Sequence, residues 1–417
     1  MNNTKENAGM SSSTIASPQQ SSSSPASVRL PWAGLLALAM TGFICILTET
    51  IPAGLLLQIS KGLGVTEAMA GQLVTLYALG SLVAAIPLTT ATRGWRRRPL
   101  LLVCILGFLI FNTVTALSSS YPLTLTSRFF AGVSAGVLWG MIAGYARRMV
   151  PEQLKGRAMA IAMAGTPLAL AFGVPAGTFL GDLAGWRNIF GVLSLFALLL
   201  TIWILWKLPD YPGEAADHRP PLRKVFTRPG VRPVLFVVLA WVLAHNILYT
   251  YIAPFLTQAG LPGIVDLVLL IFGITALLGI WLTGIWIDRH LRLLVLISLT
   301  AFALASVLLS IGSSKPFVIY LVVAVWGLTF GGAATLLQTA MATAGGESAD
   351  VAQSMLVTAW NLAIGGGGII GGILLETTGV MSFPWALFVL LVLSLWIARR
   401  SRTHGFPPGS IDIHRND

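Results

Sequence analysis

The stretch Phe43–Leu57, FICILTETIPAGLLL, places a carboxylate, Glu49, inside an apolar run reaching from about Leu30 to Leu57. A helix crossing the roughly 30 Å hydrocarbon core of a bilayer needs ~20 apolar residues, so this run is long enough to span. The same texture repeats along the chain. Its 417 residues are 55% hydrophobic and 10% charged, where a soluble domain carries about a quarter charged residues. The charges gather in short runs between long apolar ones. An all-α integral membrane protein follows from that patterning.

Apolar runs and loop signals predict twelve transmembrane helices, near 31–57, 70–92, 99–118, 121–146, 158–181, 186–207, 232–258, 263–287, 291–312, 316–341, 350–375 and 380–398. An even count puts both termini on one side of the membrane, and the basic residues choose that side. The outer loops hold Lys61, Arg187 and Lys315, Arg128 falls inside the fourth expected helix, and the other 22 of 26 Lys/Arg lie where the chain would face the cytoplasm. That asymmetry predicts cytoplasmic termini in the inner (plasma) membrane. The +11 net charge thus records topology, since the arginines bracket spans and form no single face for nucleic acid. Residues 1–30 are too polar to fold alone, read as a disordered cytoplasmic tail, and lack the apolar segment and cleavage site of a signal peptide. An N-terminal six-helix bundle (31–207), a cytoplasmic linker (208–231), a C-terminal six-helix bundle (232–399) and a second tail (400–417) complete the expected organisation.

The halves resemble one another. TRGWRRRPLLL from Thr92 aligns with DRHLRLLVLI from Asp288 at an offset of 196, and LGDLAG from Leu180 aligns with LLETTG from Leu374 at 194. The offset of 196 also carries Glu49 onto His245, although the stretch around His245 shows little other identity to Phe43–Leu57. Duplicated halves with a long central connection mark secondary transporters, whose site lies at the midplane between the repeats.

Glu49 is the one acidic residue well inside an expected span; Asp182, Asp288 and Glu376 sit near helix ends. A charged side chain at mid-helix costs roughly 2.5–3.5 kcal/mol on insertion scales, so it is expected to face a cavity, paired or protonated. At 1.5 Å per residue Glu49 lies ~12 Å from the outer end of its helix and Arg128 ~10 Å from the outer end of the fourth, so the two meet at one depth if the first and fourth helices are neighbours. Desolvation favours the neutral carboxylic acid and a neighbouring guanidinium favours the ion. A group balanced between them can exchange a proton, and the plainer alternative is a permanent structural contact between helices.

Arg128 opens RFFAGVSAG, whose Gly132 and Gly136 make a groove for another helix. The run GTPLALAFGVPAGTFLG puts Gly173, Gly177 and Gly181 on one face with Pro175 favouring a kink, and Gly368 and Gly372 repeat the theme in IGGGGIIGG. Both runs are expected to be packing or hinge surfaces, with a sliding contact between the halves as one reading. His245, Asn246, Tyr249, Tyr251, Asn361 and Tyr77 are polar or aromatic groups near mid-membrane that suit an uncharged or weakly charged organic ligand. Trp139, Trp326 and Gln338 are further candidates. Each taken singly could equally be an interhelical hydrogen bond. Cys45 and Cys104 lie in apolar runs and form no disulfide framework. No metal-ligand spacing, nucleophile motif or phosphate loop is present, so the sequence predicts neither an enzyme nor a bound cofactor, and an ion gradient would supply the energy.

Residues 31 to about 400 resemble the major facilitator superfamily, and within it the twelve-helix drug:proton antiporters. ETIPAGLL is similar to that group's first-helix signature, which implies that Glu49 handles protons or substrate. TRGWRRRPLL sits at the superfamily's loop motif and GIWIDRHLR at its second copy. The resemblance implies that Arg93, Arg96, Arg97, Gly284, Asp288, Arg289 and Arg292 latch the cytoplasmic ends of the halves together. Arg128 with Gly132 is similar to the helix motif associated with proton transfer, and GVPAGTFLG to the antiporter motif. GWRNIF and PEQLKGRAMAI match the pattern too, and TYIAPFL and WGLTFGG resemble the nucleoside and sugar efflux branches. The chain departs from the pattern at Thr92, where the family has an aspartate, at Pro87, near an expected glycine, and in lacking the usual Gly-Pro order of the antiporter motif. The resemblance implies a monomeric proton-coupled exporter of a small drug-, nucleoside- or sugar-like molecule, working by alternating access with protons and the bilayer as its partners. A facilitator or proton symporter on the same fold, and a sensor without net flux, remain the alternatives at this point.

Overall fold

In a computed structural model, residues 30–85, 87–92, 94–213 and 222–407 are described, and every regular element among them is helical. The expected tails beyond these limits, the centre of the linker (214–221) and Arg93 lie outside the described residues. Eleven helices are long and apolar enough to cross a membrane: α1 (Trp32–Gly54), α2 (Glu67–Ala85), α3 (Arg97–Leu117), α4 (Tyr121–Arg148), α5 (Glu152–Ala184), α6 (Trp186–Lys207), α7 (Val231–Thr250), α8 (Val265–Gly312), α9 (Pro316–Gly345), α10 (Val351–Thr377) and α11 (Val380–Arg400). The count differs from twelve because of α8. Its 48 residues correspond to ~72 Å of helix, more than twice the hydrocarbon thickness. The course breaks at His290 (φ −130, ψ 26), so both expected helices fit within α8, parted by one non-helical residue where a loop was expected.

From Pro31 onward the chain packs as one unit, and its packing carries the internal repeat. Gly132 of α4 lies against the Tyr77 carbonyl of α2, and Gly136 against that of Ser81. In the second half, Gly327 of α9 lies against the Phe272 carbonyl of α8, and Gly331 against that of Ala276. Each residue of the second set stands 195 positions after its counterpart. The backbones approach so closely that a Cβ at any of these glycines would strike the facing carbonyl.

A second recurrence concerns α1 and α7. α1 contains Pro52 and stops at Leu55 (φ −104, ψ 15) before the short helix Leu56–Leu63. α7 stops at Tyr251 (φ −113, ψ 28) before Ile252–Gln258, which contains Pro254. Each proline removes the N–H that would have bonded a carbonyl four residues back. The breaks at Leu55 and Tyr251 are 196 residues apart, the separation of Glu49 from His245. The two side chains thus hold equivalent places, six residues before each break.

Two seams join the sequence halves. Along α2 and α10, Thr66 Oγ1 donates to Glu376 Oε1 (3.2 Å), Gln72 Nε2 to the Gly368 carbonyl (3.2 Å) and Thr75 Oγ1 to the Gly365 carbonyl (3.4 Å). The Tyr251 hydroxyl donates to the carbonyls of Gly368 (2.7 Å) and Ala68 (3.4 Å), fastening α7 to the same seam. The other seam sets Gly273 of α8 on the backbone of Ala171 in α5. Gly368 and Gly372 therefore pack across the halves, the first on Thr75 and the second near Tyr251 and Gln72. The other glycine face does not. Gly173 and Gly177 receive Leu47 and Ile51 of α1, and Gly181 receives Leu55 at its break, all in their own half. The expected sliding contact at these three glycines is thus packing against α1 and its break, and π-helical winding over Ala169–Gly173 precedes Pro175.

Candidate functional site

Thr48 and Pro52 explain how a charged side chain comes to be held inside the first half. In an unbroken helix the Thr48 carbonyl would accept from residue 52, but Pro52 has no N–H to give. The donor comes instead from α4, where Arg128 Nη2 hydrogen-bonds the Thr48 carbonyl. Asn112 of α3 donates from Nδ2 to Thr48 Oγ1 (3.0 Å), so Thr48 is gripped through both its oxygens. The guanidinium is 0% exposed. Its carbon lies 4.9 Å from the Tyr77 ring centroid and 5.6 Å from that of Phe190. Aromatic faces stabilise a desolvated cation by about 2 kcal/mol. The Tyr77 hydroxyl turns away to the Cys45 carbonyl (3.2 Å).

Glu49 follows Thr48 directly and is within electrostatic reach of Arg128, Tyr77 and Cys45 in its own half and of Tyr249 in the other. The carboxylate and the guanidinium nevertheless make no hydrogen bond. Arg128 Nε and Nη1 are buried without any partner, as is Asn112 Oδ1. An unmet buried polar group costs about 1–3 kcal/mol. The arrangement holds that cost next to a titratable acid.

In the second half, His245 and Tyr249 of α7 meet Phe272 of α8 and Trp326 and Phe330 of α9 in one aromatic cluster. Trp326 Nε1 donates to His245 Nδ1 at 3.0 Å. The remaining expected ligand contacts lie apart from this cluster. Asn246 donates to the Val242 carbonyl (2.8 Å) and Asn361 to the Val357 carbonyl (3.0 Å), each within its own helix, and Tyr251 belongs to the α2–α10 seam. Tyr77 stands beside Arg128 rather than beside His245. Asn112, Thr48, Phe272 and Phe330 were not singled out from sequence. Asn112 could have been, as the lone amide in the apolar run 99–118.

Of the expected latch residues, Arg96 and Arg292 make side-chain contacts outside the opposite half. Arg96 pairs with Asp210 at the start of the linker (2.5 Å), and the Arg98 amide donates to the same carboxylate (3.1 Å). The Arg97 amide donates to the Tyr211 carbonyl (2.9 Å), and the Tyr145 hydroxyl to that of Pro209 (2.5 Å). Arg292 caps the end of α11 through the carbonyls of Ala398, Arg399 and Phe406. Gly284 faces open space, and Asp288 and Arg289 are exposed with no ion pair among the described residues. Asp210 is thus the carboxylate that Arg96 meets.

Burial acts to raise the Asp210 carboxyl, but Arg96 and the Arg98 amide outweigh it and hold the group below its ordinary 3.8. A depressed folded value means that the contribution is present at neutral pH and fades as the pH falls through that value. Asp210→Asn is expected to lower stability by up to about 1 kcal/mol at neutral pH. Thermal unfolding should show that difference from wild type shrinking below about pH 4; a difference that persists there rules the pairing out as its source.

The sequence pattern of the Major Facilitator Superfamily matches residues 38–365. This chain belongs to that superfamily. The purine ribonucleoside efflux pump NepI of Escherichia coli K12 is 28% identical over 354 residues, covering 84% of this chain and 89% of its own length. NepI of Shigella sonnei is 28% identical over 368 residues, covering 87% and 93%. Among solved structures, the bacterial homologue of the human lysosomal transporter Spinster, inward-facing and occupied, superposes with a TM-score of 0.69 at 16% identity, covering 89% of this chain and 96% of that one. The human organic anion transporter MFSD10 (TETRAN) gives 0.65 at 17% identity, covering 88% and 98%. As a member of the superfamily the protein is a multi-pass membrane transporter of small molecules and not an enzyme.

Proposed function

We propose that this transporter exports a small organic molecule in exchange for protons, with Glu49 as the proton-carrying group and Arg128 as its counter-charge. Purine ribonucleosides are the favoured cargo class, because the NepI pumps that resemble the chain over most of its length are named for them. The observation that carries the coupling is the pair of unpartnered N–H groups on a fully buried Arg128 beside Glu49. A protonated Glu49 leaves the guanidinium on the Thr48 carbonyl, the arrangement seen here. An ionised Glu49 is the natural acceptor for Nε and Nη1. Loss of the proton therefore favours a different packing of α1 and α4, and differential stability of two states is what links proton and cargo movement.

The two six-helix halves, 31–207 and 232–399, rock about the space between Glu49 and the His245 cluster. Both termini lie in the cytoplasm of a cell whose inner (plasma) membrane holds the protein as a working monomer. On that topology the α2–α10 bonds around Thr66 and Glu376 close the outer face, and the proton leaves to the cytoplasm as cargo enters. The test uses inside-out vesicles with an acid interior, to which inosine, guanosine, adenosine, sugars and common antibiotics are added in turn. The purine ribonucleosides are expected to dissipate the gradient. Labelled inosine that equilibrates equally with and without the gradient would establish a facilitator instead.

A further inference from the structure

His245 stands where the repeat places Glu49, yet its surroundings suit a different task. The ring is 8% exposed. Phe330 stacks on it at 3.6 Å with 4° between the planes, and Tyr249 and Phe272 lie at 5.2 and 5.6 Å. Its Nδ1 takes the indole N–H of Trp326 at 3.0 Å. An indole nitrogen only donates, so Nδ1 is the bare nitrogen and the ring proton sits on Nε2. Nε2 has no partner among the described residues, and it is not among the polar atoms sealed from solvent.

Four aromatic rings from three helices lie against the imidazole. α8 brings Phe272, and α9 brings Trp326 and Phe330, none of which titrates. Tyr249, one turn along α7, is the titratable group against it, and Glu49 acts on Tyr249. No charged side chain acts on His245 among the described residues.

We propose that Trp326 is a positioning residue that locks His245 as an uncharged Nε2–H donor, and that this donor meets a lone pair on an uncharged cargo. The partner atom is a ring nitrogen or carbonyl oxygen, such as a purine nucleoside presents at its base edges. The inference rests on the transporter reading above and divides its labour. Glu49 carries the proton, and its counterpart His245 recognises the cargo and takes no part in proton traffic. The bare Nδ1 that accepts the indole N–H accounts for the division, because protonating Nδ1 would set two donors against each other.

Two measurements test it separately from the cargo assignment. The first follows the imidazole nitrogens of [15N]histidine-labelled protein by NMR from about pH 5 to about pH 8, the range in which free imidazole titrates. His245, assigned by the signal lost in His245→Gln, is expected to keep the Nε2–H pattern throughout. In Trp326→Phe it should populate both neutral tautomers. A wild-type His245 that titrates in this range overturns the lock whatever the cargo.

The second measures binding of tritiated inosine. His245→Phe, which removes the donor, should bind about tenfold more weakly, the scale of one hydrogen bond to an uncharged partner. His245→Gln, whose amide can donate, should stay within about threefold of wild type. Trp326→Phe should bind more weakly than wild type, because the neutral ring is free to take either tautomer. Equal affinity of His245→Phe and wild type overturns the recognition role. If wild type binds no purine nucleoside while its His245 signal stays fixed, the purine assignment fails and the lock stands. The same variants are then compared on whichever vesicle-panel compound wild type does bind.

Discussion

Glu49→Gln is expected to abolish proton-driven export while leaving a folded protein that still exchanges labelled cargo across the membrane. Glutamine matches glutamate in shape and keeps a carbonyl acceptor, so the packing of α1 against its neighbours is preserved. It cannot lose a proton. The arrangement seen here, with Arg128 held on the Thr48 carbonyl, then becomes the lasting one, and the state that needs an ionised carboxylate is no longer reached. The interaction withheld belongs to a buried charge pair, for which loss of one partner costs about 3–5 kcal/mol. At about 1.4 kcal/mol per decade that predicts gradient-driven flux lower by on the order of 100-fold or more. Counterflow, in which labelled and unlabelled inosine exchange at equal pH, should fall by no more than about threefold, because no net proton movement is required. A variant whose vesicles still accumulate cargo against a pH gradient at the wild-type rate would remove Glu49 from the coupling path.

Much of the architecture was legible because membrane physics writes it in long apolar runs. Their ends were less so. The helix expected to begin at 70 begins at Glu67, and the gap expected at 287–291 shrank to a single break at His290. An abrupt reversal of φ and ψ leaves no mark in hydropathy. Depth alone made an approach of Arg128 to Glu49 an expectation only if α1 and α4 were neighbours, and in the fold Arg128 bonds the Thr48 carbonyl beside it. That acceptor was open to reading, since a proline four residues after Thr48 must orphan its carbonyl. The aromatic cluster was only half visible. His245 and Tyr249 share one helix, but Phe272, Trp326 and Phe330 come from two others, and no one-dimensional pattern brings them together. The latch was hidden differently. With Thr92 in place of an aspartate, the expected substitutes were Asp288 and Arg289, whereas the acidic partner that Arg96 meets is Asp210, just beyond α6. The three glycines of α5 show a limit of small-residue motifs: they announce a close approach without naming the partner, which proved to be α1 and its break.

Arg128→Met should also cost on the order of 100-fold in gradient-driven transport, by the opposite route from Glu49→Gln. Methionine fills much of the volume between Tyr77 and Phe190 without a charge, and Glu49 can stay protonated, so no unpaired buried charge is left behind. The variant is therefore expected to reach the membrane folded, with its carboxylic acid intact but no counter-charge to stabilise the ion. Proton release would then lack its driving interaction, and the transporter would favour the protonated packing. Pro52→Ala separates the electrostatic part of this account from the architectural one. Alanine restores an N–H at position 52 that competes with Arg128 for the Thr48 carbonyl, and it removes a helix defect worth ~3 kcal/mol in an ordinary helix interior. The guanidinium then loses the contact that holds it away from Glu49 and pairs with the carboxylate more readily. Melting temperature in Pro52→Ala should equal or exceed that of wild type, while the pH dependence of flux shifts to lower values, because a better-paired carboxylate needs a higher proton concentration to be neutralised. Arg128→Met should show the reverse shift in its residual activity. Two variants moving the pH profile in the same direction would mean that Thr48 does not arbitrate between them, and the role of Pro52 would reduce to bending the helix.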